Sequence, residues 1–235
     1  MDLVSYYNAY WTELGETVDH NRLDLIVRHV ERGEKVLEVD CGPGVLAQRL
    51  RQRGAIVYGT DLSTVAAERA RLKDIPVSLV DIDVADLPFA AETFDTVISD
   101  SAIEHRFFSW RAVQECARTL RPGGKFIICL PNVAHWRYRL WLLAGRFPYI
   151  VNSPTDETHL RFFTVHEGKK LCESLGLRVV AVDGSASLWV QNFYPALLRR
   201  RRVSQAYVWL ARKYPSLFAR DFVLLCRKDD GSTYR

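Results

Sequence analysis

The 235-residue chain has no apolar run approaching the roughly 20 residues needed to cross a bilayer, so no membrane-spanning segment is expected. Its start, Met1-Asp2-Leu3-Val4-Ser5-Tyr6-Tyr7, lacks the basic region and apolar stretch of a secretory signal, which points to a soluble cytoplasmic protein. Cysteine is sparse and scattered: Cys41, Cys116, Cys129, Cys172 and Cys226 include no Cys-x-x-Cys pair. A disulfide scaffold and a thiolate zinc site are thereby disfavoured, reduced thiols are expected, and no metal is expected. The excess of positive charge is only +4, well short of a dedicated nucleic-acid binder, and no basic-aromatic stacking platform is evident. Internal repeats are absent, and low complexity is limited to Arg199-Arg200-Arg201-Arg202.

What the chain does contain, at 48% hydrophobic residues, is enough apolar material for one sizeable α/β core. Short apolar runs read as strands at Val36–Val39, Ala55–Asp61, Pro76–Asp81, Phe94–Ser99, Lys125–Leu130, Leu177–Asp183 and Asp221–Arg227. Helical periodicity separates the first five. Asn21 is a candidate N-cap for the run Leu23, Ile26, Val27, Val30, and Ser63 is one for the helix carrying Val65, Ala66 and Leu72. Arg121-Pro122-Gly123-Gly124 reads as a tight turn into the fifth strand. Alternation at this spacing predicts a mostly parallel sheet with right-handed crossovers. Beyond Pro131 the rhythm breaks into a helix over 134–144, a polar loop over 145–158, and a capping-box signal at Thr164-Val165-His166-Glu167.

The organising stretch is Val36-Leu37-Glu38-Val39-Asp40-Cys41-Gly42-Pro43-Gly44, a buried strand ending in a glycine-containing turn before a helix near Val45. Such a turn builds a nucleotide-sized pocket where helix N-terminal amides converge. Gly42, Gly44 and Ala47 also satisfy a Gly-x-Gly-x-x-Ala pattern with Asp61 downstream, as in dinucleotide folds. Charge argues against that ligand. Glu38 and Asp40 would flank a diphosphate, whereas a ligand carrying an ammonium and a positive sulfur would be attracted. A carboxylate at Asp61 can accept from both ribose hydroxyls, and Asp81 or Asp83 can accept from an adenine amino group.

These residues, with Gly59-Thr60-Asp61-Leu62-Ser63, Asp83-Val84-Ala85-Asp86-Leu87-Pro88-Phe89, Phe94-Asp95-Thr96-Val97-Ile98, Glu104-His105 and Leu120-Arg121-Pro122-Gly123-Gly124, resemble the class I S-adenosylmethionine-dependent methyltransferases. The motifs stand in order over residues 36–130. The resemblance implies a Rossmann-like, seven-stranded, mostly parallel sheet with an antiparallel last strand, helices on both faces and a small substrate cap. It implies one domain over 1–235, an N-terminal region over 1–33 and a cap over 131–170. S-adenosyl-L-methionine is the implied cofactor, with Glu38, Asp40, Cys41, Gly42 and Gly44 around the methionine part. Asp61 and Leu62 would hold the ribose and the adenine edge, Asp83 and Val84 the adenine, and Ser99 and Asp100 the floor.

Asp40 departs from the family's usual glycine; an aspartate tolerates the left-handed region at a cost of roughly 1 kcal/mol, and weakened cofactor binding is expected. His105 and His159 are the candidate general bases, and His135 and Arg161 the candidate acceptor-binding residues. If 158–164 is extended, His159 and Arg161 share a face. Tyr6, Tyr7, Tyr10 and Trp11 share one face of an N-terminal helix that either packs on the domain or covers the pocket. The sequences around 132–137 and 159–164 look like those of surface-glycan and MetW-like bacterial methyltransferases, which points to a hydroxyl of a small molecule or sugar as the acceptor. The other reading is a cofactor-fold protein that binds or regulates a partner and catalyses little; a dehydrogenase is a distant third. The arginines at 137, 139, 146 and 199–202 form either a solvated face or a contact for an anionic membrane surface or phosphate-bearing substrate.

Overall fold

The computed structural model describes residues 2–13, 19–190 and 193–230. Met1 and residues 14–18, 191–192 and 231–235 lie outside them, so the expected extents of the N-terminal region and of one domain over 1–235 fall partly outside the described residues. In chain order the elements are α1 (Leu3–Glu13), α2 (His20–Val27), β1 (Lys35–Val39), α3 (Val45–Gln52), β2 (Ile56–Asp61), α4 (Thr64–Arg71), β3 (Val77–Leu79), β4 (Phe94–Asp100), a 3-10 turn (Ile103–His105) and α5 (Ser109–Thr119). They continue with β5 (Leu120–Pro131), α6 (Trp136–Leu143), α7 (Val165–Glu173), β6 (Leu177–Ser185), α8 (Arg201–Lys213), α9 (Pro215–Phe218) and β7 (Asp221–Lys228).

The seven strands form one sheet in the order β3-β2-β1-β4-β5-β7-β6. The first five pair in parallel, and β7 runs antiparallel to both β5 and β6. The strands are near-continuous apolar runs because both faces are covered. Residues of alternate parity enter opposite layers: Leu37, Val39, Phe126, Ile128 and Leu224 pack in one with α5 and α7. Val36, Ile127, Cys129 and Val223 pack in the other with α2 and α3. The order reverses direction beside β1, and there the carboxyl ends of β1 and β4 leave a crevice.

Local chemistry sets the boundaries. Helix α2 starts at His20, and Asp19 caps it by accepting from the N–H groups of Asn21 and Arg22, so the cap sits two residues before Asn21. Asp19 wins because its carboxylate also accepts from the buried Ser185 and Ser187 hydroxyls. Ser63 caps α4 as expected, accepting from Ala66 N at 3.2 Å. Thr164 caps α7, accepting from Glu167 N at 3.1 Å. The turn at Arg121–Gly124 interrupts the β4–β5 ladder, which pairs Phe94 with Leu120 and resumes at Thr96 with Lys125.

A third, aromatic cluster binds the segment after β5 to the segment between β6 and β7. Tyr138 packs there with Phe193, Tyr194 and Tyr207, and Trp136 and Trp141 lean on it. Asn132 pins the same junction, donating to Ala219 O at 2.9 Å and accepting from Ala134 N at 3.0 Å. No helix among the described residues is long and apolar enough to cross a membrane, and all five cysteines are buried free thiols.

Candidate active site

A cavity of about 640 Å³ opens at the crevice. Its walls come from the turn after β1, the start of the β2–α4 connection, the segment from Asp100 to Arg106, the aromatic face of α1, the 151–159 loop, and Trp189, Arg220 and Asp221. Of the residues nominated from sequence, Glu38, Asp40, Cys41, Gly42, Asp61, Leu62, Asp100, His105 and His159 line it.

The turn after β1 is built on positive φ at Asp40 (55°), Gly42 (53°) and Gly44 (75°). At Gly42 a Cβ would stand 3.0 Å from the Trp11 ring, so the glycine lets α1 lie directly on the turn. At Gly44 a Cβ would meet the Ala70 Cβ at 2.9 Å, so this glycine serves close packing of α3 on α4 and does not line the cavity. Asp40 does not stand alone. The Arg106 guanidinium grips it in two-pronged fashion, Nε donating to Oδ2 at 2.9 Å and Nη2 bonded to Oδ1. Arg106 Nη1 also lies 3.5 Å from Asp81 Oδ1.

Asp61 at the end of β2 accepts from Gly42 N and Ser63 N, each at 2.8 Å, which ties the β1 turn to the β2 turn. Burial, reinforced by the nearby Asp40 charge, raises its pKa to about 6. Glu38 is buried to 4% exposure, and burial, with Asp100 close by, raises its pKa well above the usual carboxylate value. Asp100 is paired with Arg22, whose Nη2 donates to Oδ2 at 3.2 Å. Arg220 is held by Asp221 and donates through Nε to Oδ2 at 2.8 Å. Helix α1 docks through Asn8, whose Oδ1 accepts from Ser63 Oγ at 2.7 Å and Thr64 Oγ1 at 3.2 Å.

The two nominated histidines, far apart in sequence, meet with ring centroids 4.8 Å apart and planes at 78°. Backbone bonds bring them together: the Glu104 carbonyl accepts from Leu160 N at 2.9 Å and Arg161 N at 3.0 Å, drawing the loop onto the 3-10 turn. His105 Nδ1 lies 3.1 Å from Thr158 O and His159 Nδ1 3.2 Å from Pro154 O. Carbonyls only accept, so each Nδ1 carries the proton and each neutral ring keeps an Nε2 lone pair. Burial, with His159 adding to it, lowers the His105 pKa to about 4, and burial lowers that of His159. Glu104 is 1% exposed, and its burial raises its pKa to about 8.

The remaining nominees lie elsewhere. His135 is fully buried under the aromatic cluster, where Nδ1 caps α6 by accepting from Arg137 N at 3.2 Å and Nε2 lies 2.8 Å from Tyr207 Oη. It has no free nitrogen to offer an acceptor. The 158–164 segment is not a continuous strand, and Arg161 turns outward to donate through Nε to Phe107 O at 3.2 Å. Asp83 accepts from Phe107 N and Phe108 N, and Val84 is exposed; neither lines the cavity. Ser99 is buried behind the floor. Tyr6, Tyr7, Tyr10 and Trp11, read from sequence as a face that packs or covers the pocket, line the cavity, whereas Arg22, Arg106 and Arg220 line it without having been singled out for the site. The pairing of a charged Asp40 in a glycine position with an arginine beside Glu104-His105 was the one available signal.

The cavity fits a cationic adenosine ligand. Glu38 Oε2 and Glu104 Oε2 are buried without a hydrogen-bond partner among the described residues, an arrangement that costs free energy unless a donor arrives. Residues 37–128 match a family model described as a methyltransferase domain. The chain is 33% identical over 200 residues, 82% of itself and 84% of the relative, to a ubiquinone biosynthesis O-methyltransferase of Azoarcus sp.. It is 30% identical over 159 residues, 65% of itself and 67% of the relative, to the protein of that name in Coxiella burnetii.

The chain belongs to the class I S-adenosylmethionine-dependent methyltransferases.

Solved structures agree on the fold of this methyltransferase. One is a Haloferax volcanii methyltransferase in complex with the Trm112 methyltransferase activator (TM-score 0.67, 20% identity, 96% and 95% of the two chains covered). Another is the Synechocystis magnesium protoporphyrin IX methyltransferase with bound SAH (TM-score 0.66, 15% identity, 97% and 98% covered). The enzyme uses S-adenosyl-L-methionine, and the earlier nucleotide-turn pattern belongs to that cofactor rather than to a dinucleotide.

Proposed function

We propose that this methyltransferase transfers the methyl group to a hydroxyl of a small, ring-bearing molecule held between α1 and the 151–159 loop. The observation that carries the reading is the convergence of Glu104, His105 and His159 on the same cavity as Glu38, Asp40 and Asp61. The O-methyltransferase names of the relatives support it.

S-adenosylmethionine supplies the methyl on a sulfonium, a leaving group already activated, so the chain's task is mainly alignment and exclusion of water. Glu38, with a free buried oxygen, would take the ammonium of the methionine part. Asp61 would accept from the ribose hydroxyls, and Leu62 would pack on the adenine. The flat faces of Tyr7, Tyr10 and Trp11 would close over this side, with α1 acting as the lid anchored by Asn8. On the acceptor side, an Nε2 lone pair of His159 or His105 can take the proton of a hydroxyl as it attacks. Trp189 and the tyrosines give a ring-shaped acceptor surfaces to stack on.

The partner-regulating alternative leaned on Asp40 as a defect in the cofactor turn. Its pairing with Arg106 weakens that support, because the charge is compensated by the segment after β4. A reduced, cytoplasmic setting suits five buried free thiols. Leu140, Leu142, Leu143, Tyr149 and Val151 are exposed beside Arg139 and Arg146, which supports peripheral contact with an anionic lipid surface. Arg137 is not part of that face, since it stacks 4.6 Å from the Trp141 ring. The function is tested by incubating the enzyme and S-adenosylmethionine with phenols, catechols and sugars and analysing the products by mass spectrometry. Methylation confined to nitrogen or carbon acceptors would overturn it.

A further inference from the structure

We propose that Glu104, His105 and His159 bind a single divalent cation of the first transition row, with open coordination positions facing the cavity. One nitrogen from each imidazole and a carboxylate oxygen of Glu104 all lie within 4.8 Å of one another. His159 Nε2 is 4.0 Å from Glu104 Oε1. Zinc bonds of about 2.0–2.2 Å place neighbouring donors roughly 3 Å apart, so a cation has to draw these groups in by little more than a side-chain adjustment.

Three further observations point to a ligand here. Glu104 is 1% exposed, yet its Oε2 has no hydrogen-bond partner among the described residues. A carboxyl buried in this way lacks the donor its desolvation calls for. Each histidine has its Nδ1 on a backbone carbonyl, Thr158 O at 3.1 Å and Pro154 O at 3.2 Å. That is the outer arrangement that fixes the tautomer of a metal-ligating histidine and aims the other nitrogen at the ion. The rings meet edge to face at 78°, so they are not stacked against each other.

The surrounding charges are compatible with a cation. Asp156 and Glu157 line the same cavity, while the arginines that line it are neutralised, Arg22 by Asp100, Arg106 by Asp40 and Arg220 by Asp221. Two imidazoles and one carboxylate suit zinc, manganese, iron or cobalt in preference to calcium. Three protein donors leave positions for water and for an oxygen of the acceptor. This use of the ion rests on the hydroxyl-acceptor reading above and replaces the base in it. With both Nε2 lone pairs on the ion neither imidazole takes the proton, and the Lewis acid instead lowers the hydroxyl's pKa so that its proton passes to water as the oxygen is methylated.

The test uses the full chain without a histidine tag, dialysed against chelator and titrated with Co²⁺ while the visible d–d absorption is followed, with Zn²⁺ titrated by calorimetry. One equivalent should bind, and Glu104→Gln and His159→Gln should each weaken binding at least about 10-fold. Both variants should keep native circular dichroism and bind S-adenosylhomocysteine as the wild type does. Absence of Co²⁺ and Zn²⁺ binding, or equal affinity in wild type and both variants, overturns the proposal. If no cation binds while His159→Gln still abolishes methylation of a hydroxyl, the cation is wrong and the acceptor reading stands. If the ion binds as expected and only nitrogen or carbon acceptors are methylated, the site stands and the acceptor reading falls.

Discussion

Arg106 closes on Asp40 with Nε 2.9 Å from Oδ2 and Nη2 on Oδ1, in a pair whose side chains are 7% and 12% exposed. An aspartate at positive φ in the cofactor turn is therefore part of a buried ion pair that joins β1 to the segment after β4. Arg106→Ala leaves a buried carboxylate uncompensated and should lower stability by about 3 kcal/mol. Asp40→Gly should cost less, because it also relieves roughly 1 kcal/mol of left-handed strain. Urea denaturation of both variants and the double variant measures the coupling, and strictly additive losses would show that the pair contributes nothing.

The same pair bears on ligand charge. Without Asp40, the Arg106 guanidinium is left uncompensated in the wall of a cavity that takes a cationic sulfonium. Asp40→Gly should weaken S-adenosylmethionine about 10-fold more than the uncharged thioether S-adenosylhomocysteine. Calorimetry on both ligands checks this; equal losses would mean that Arg106 is screened from the sulfur.

Asp61 carries a pH dependence. Its folded pKa of about 6 is above the ordinary 3.8, so its contribution to folding is fully present below the ordinary value and is lost as pH rises through about 6. Cofactor affinity should move in the opposite sense, since the ionised carboxylate is the better acceptor for ribose hydroxyls. Affinity for S-adenosylhomocysteine should fall as pH is lowered from 7.5 to 5, and Asp61→Asn should flatten that fall while lowering affinity about 10- to 100-fold. A wild-type affinity independent of pH across this range would remove Asp61 from the ribose site.

His105→Ala and His159→Ala should each lower kcat by about 10²- to 10⁴-fold, with little change in S-adenosylhomocysteine binding. His135→Ala should act through stability instead, because it removes a helix cap and the Tyr207 contact. Single-turnover methylation with thermal melts on the same samples separates the two behaviours. Full turnover in both His105 and His159 variants would leave the acceptor side without a base.

Helix α1 has no buried residue and is held by Asn8 and by Trp11 over Gly42. Asn8→Ala and Trp11→Ala should therefore accelerate release of S-adenosylhomocysteine with little effect on melting temperature. Stopped-flow displacement gives the rates. Unchanged release in both would make α1 a packing element rather than a lid.

The pattern of short apolar runs, each closed by an acid or a turn, determines the strand series and the acids that stand at the strand ends beside the cavity, because burial on both sheet faces and a charged strand end are local demands. Glu38, Asp61 and the Ser63 cap could be read for that reason. Tertiary structure alone decided the rest. It turned Asp40 from a defect into half of an ion pair, because Arg106 reaches it only after β4 lies beside β1. It joined His105 to His159 through the Glu104 carbonyl and withdrew His135 into an aromatic cluster assembled from both sides of β6. Arg161, Asp83 and Val84 left the cavity for similar reasons: a side chain's direction in an irregular loop depends on backbone partners that spacing along the chain does not reveal. Alternation along a strand is written in the sequence; convergence between loops is set by what the folded sheet brings within hydrogen-bond reach.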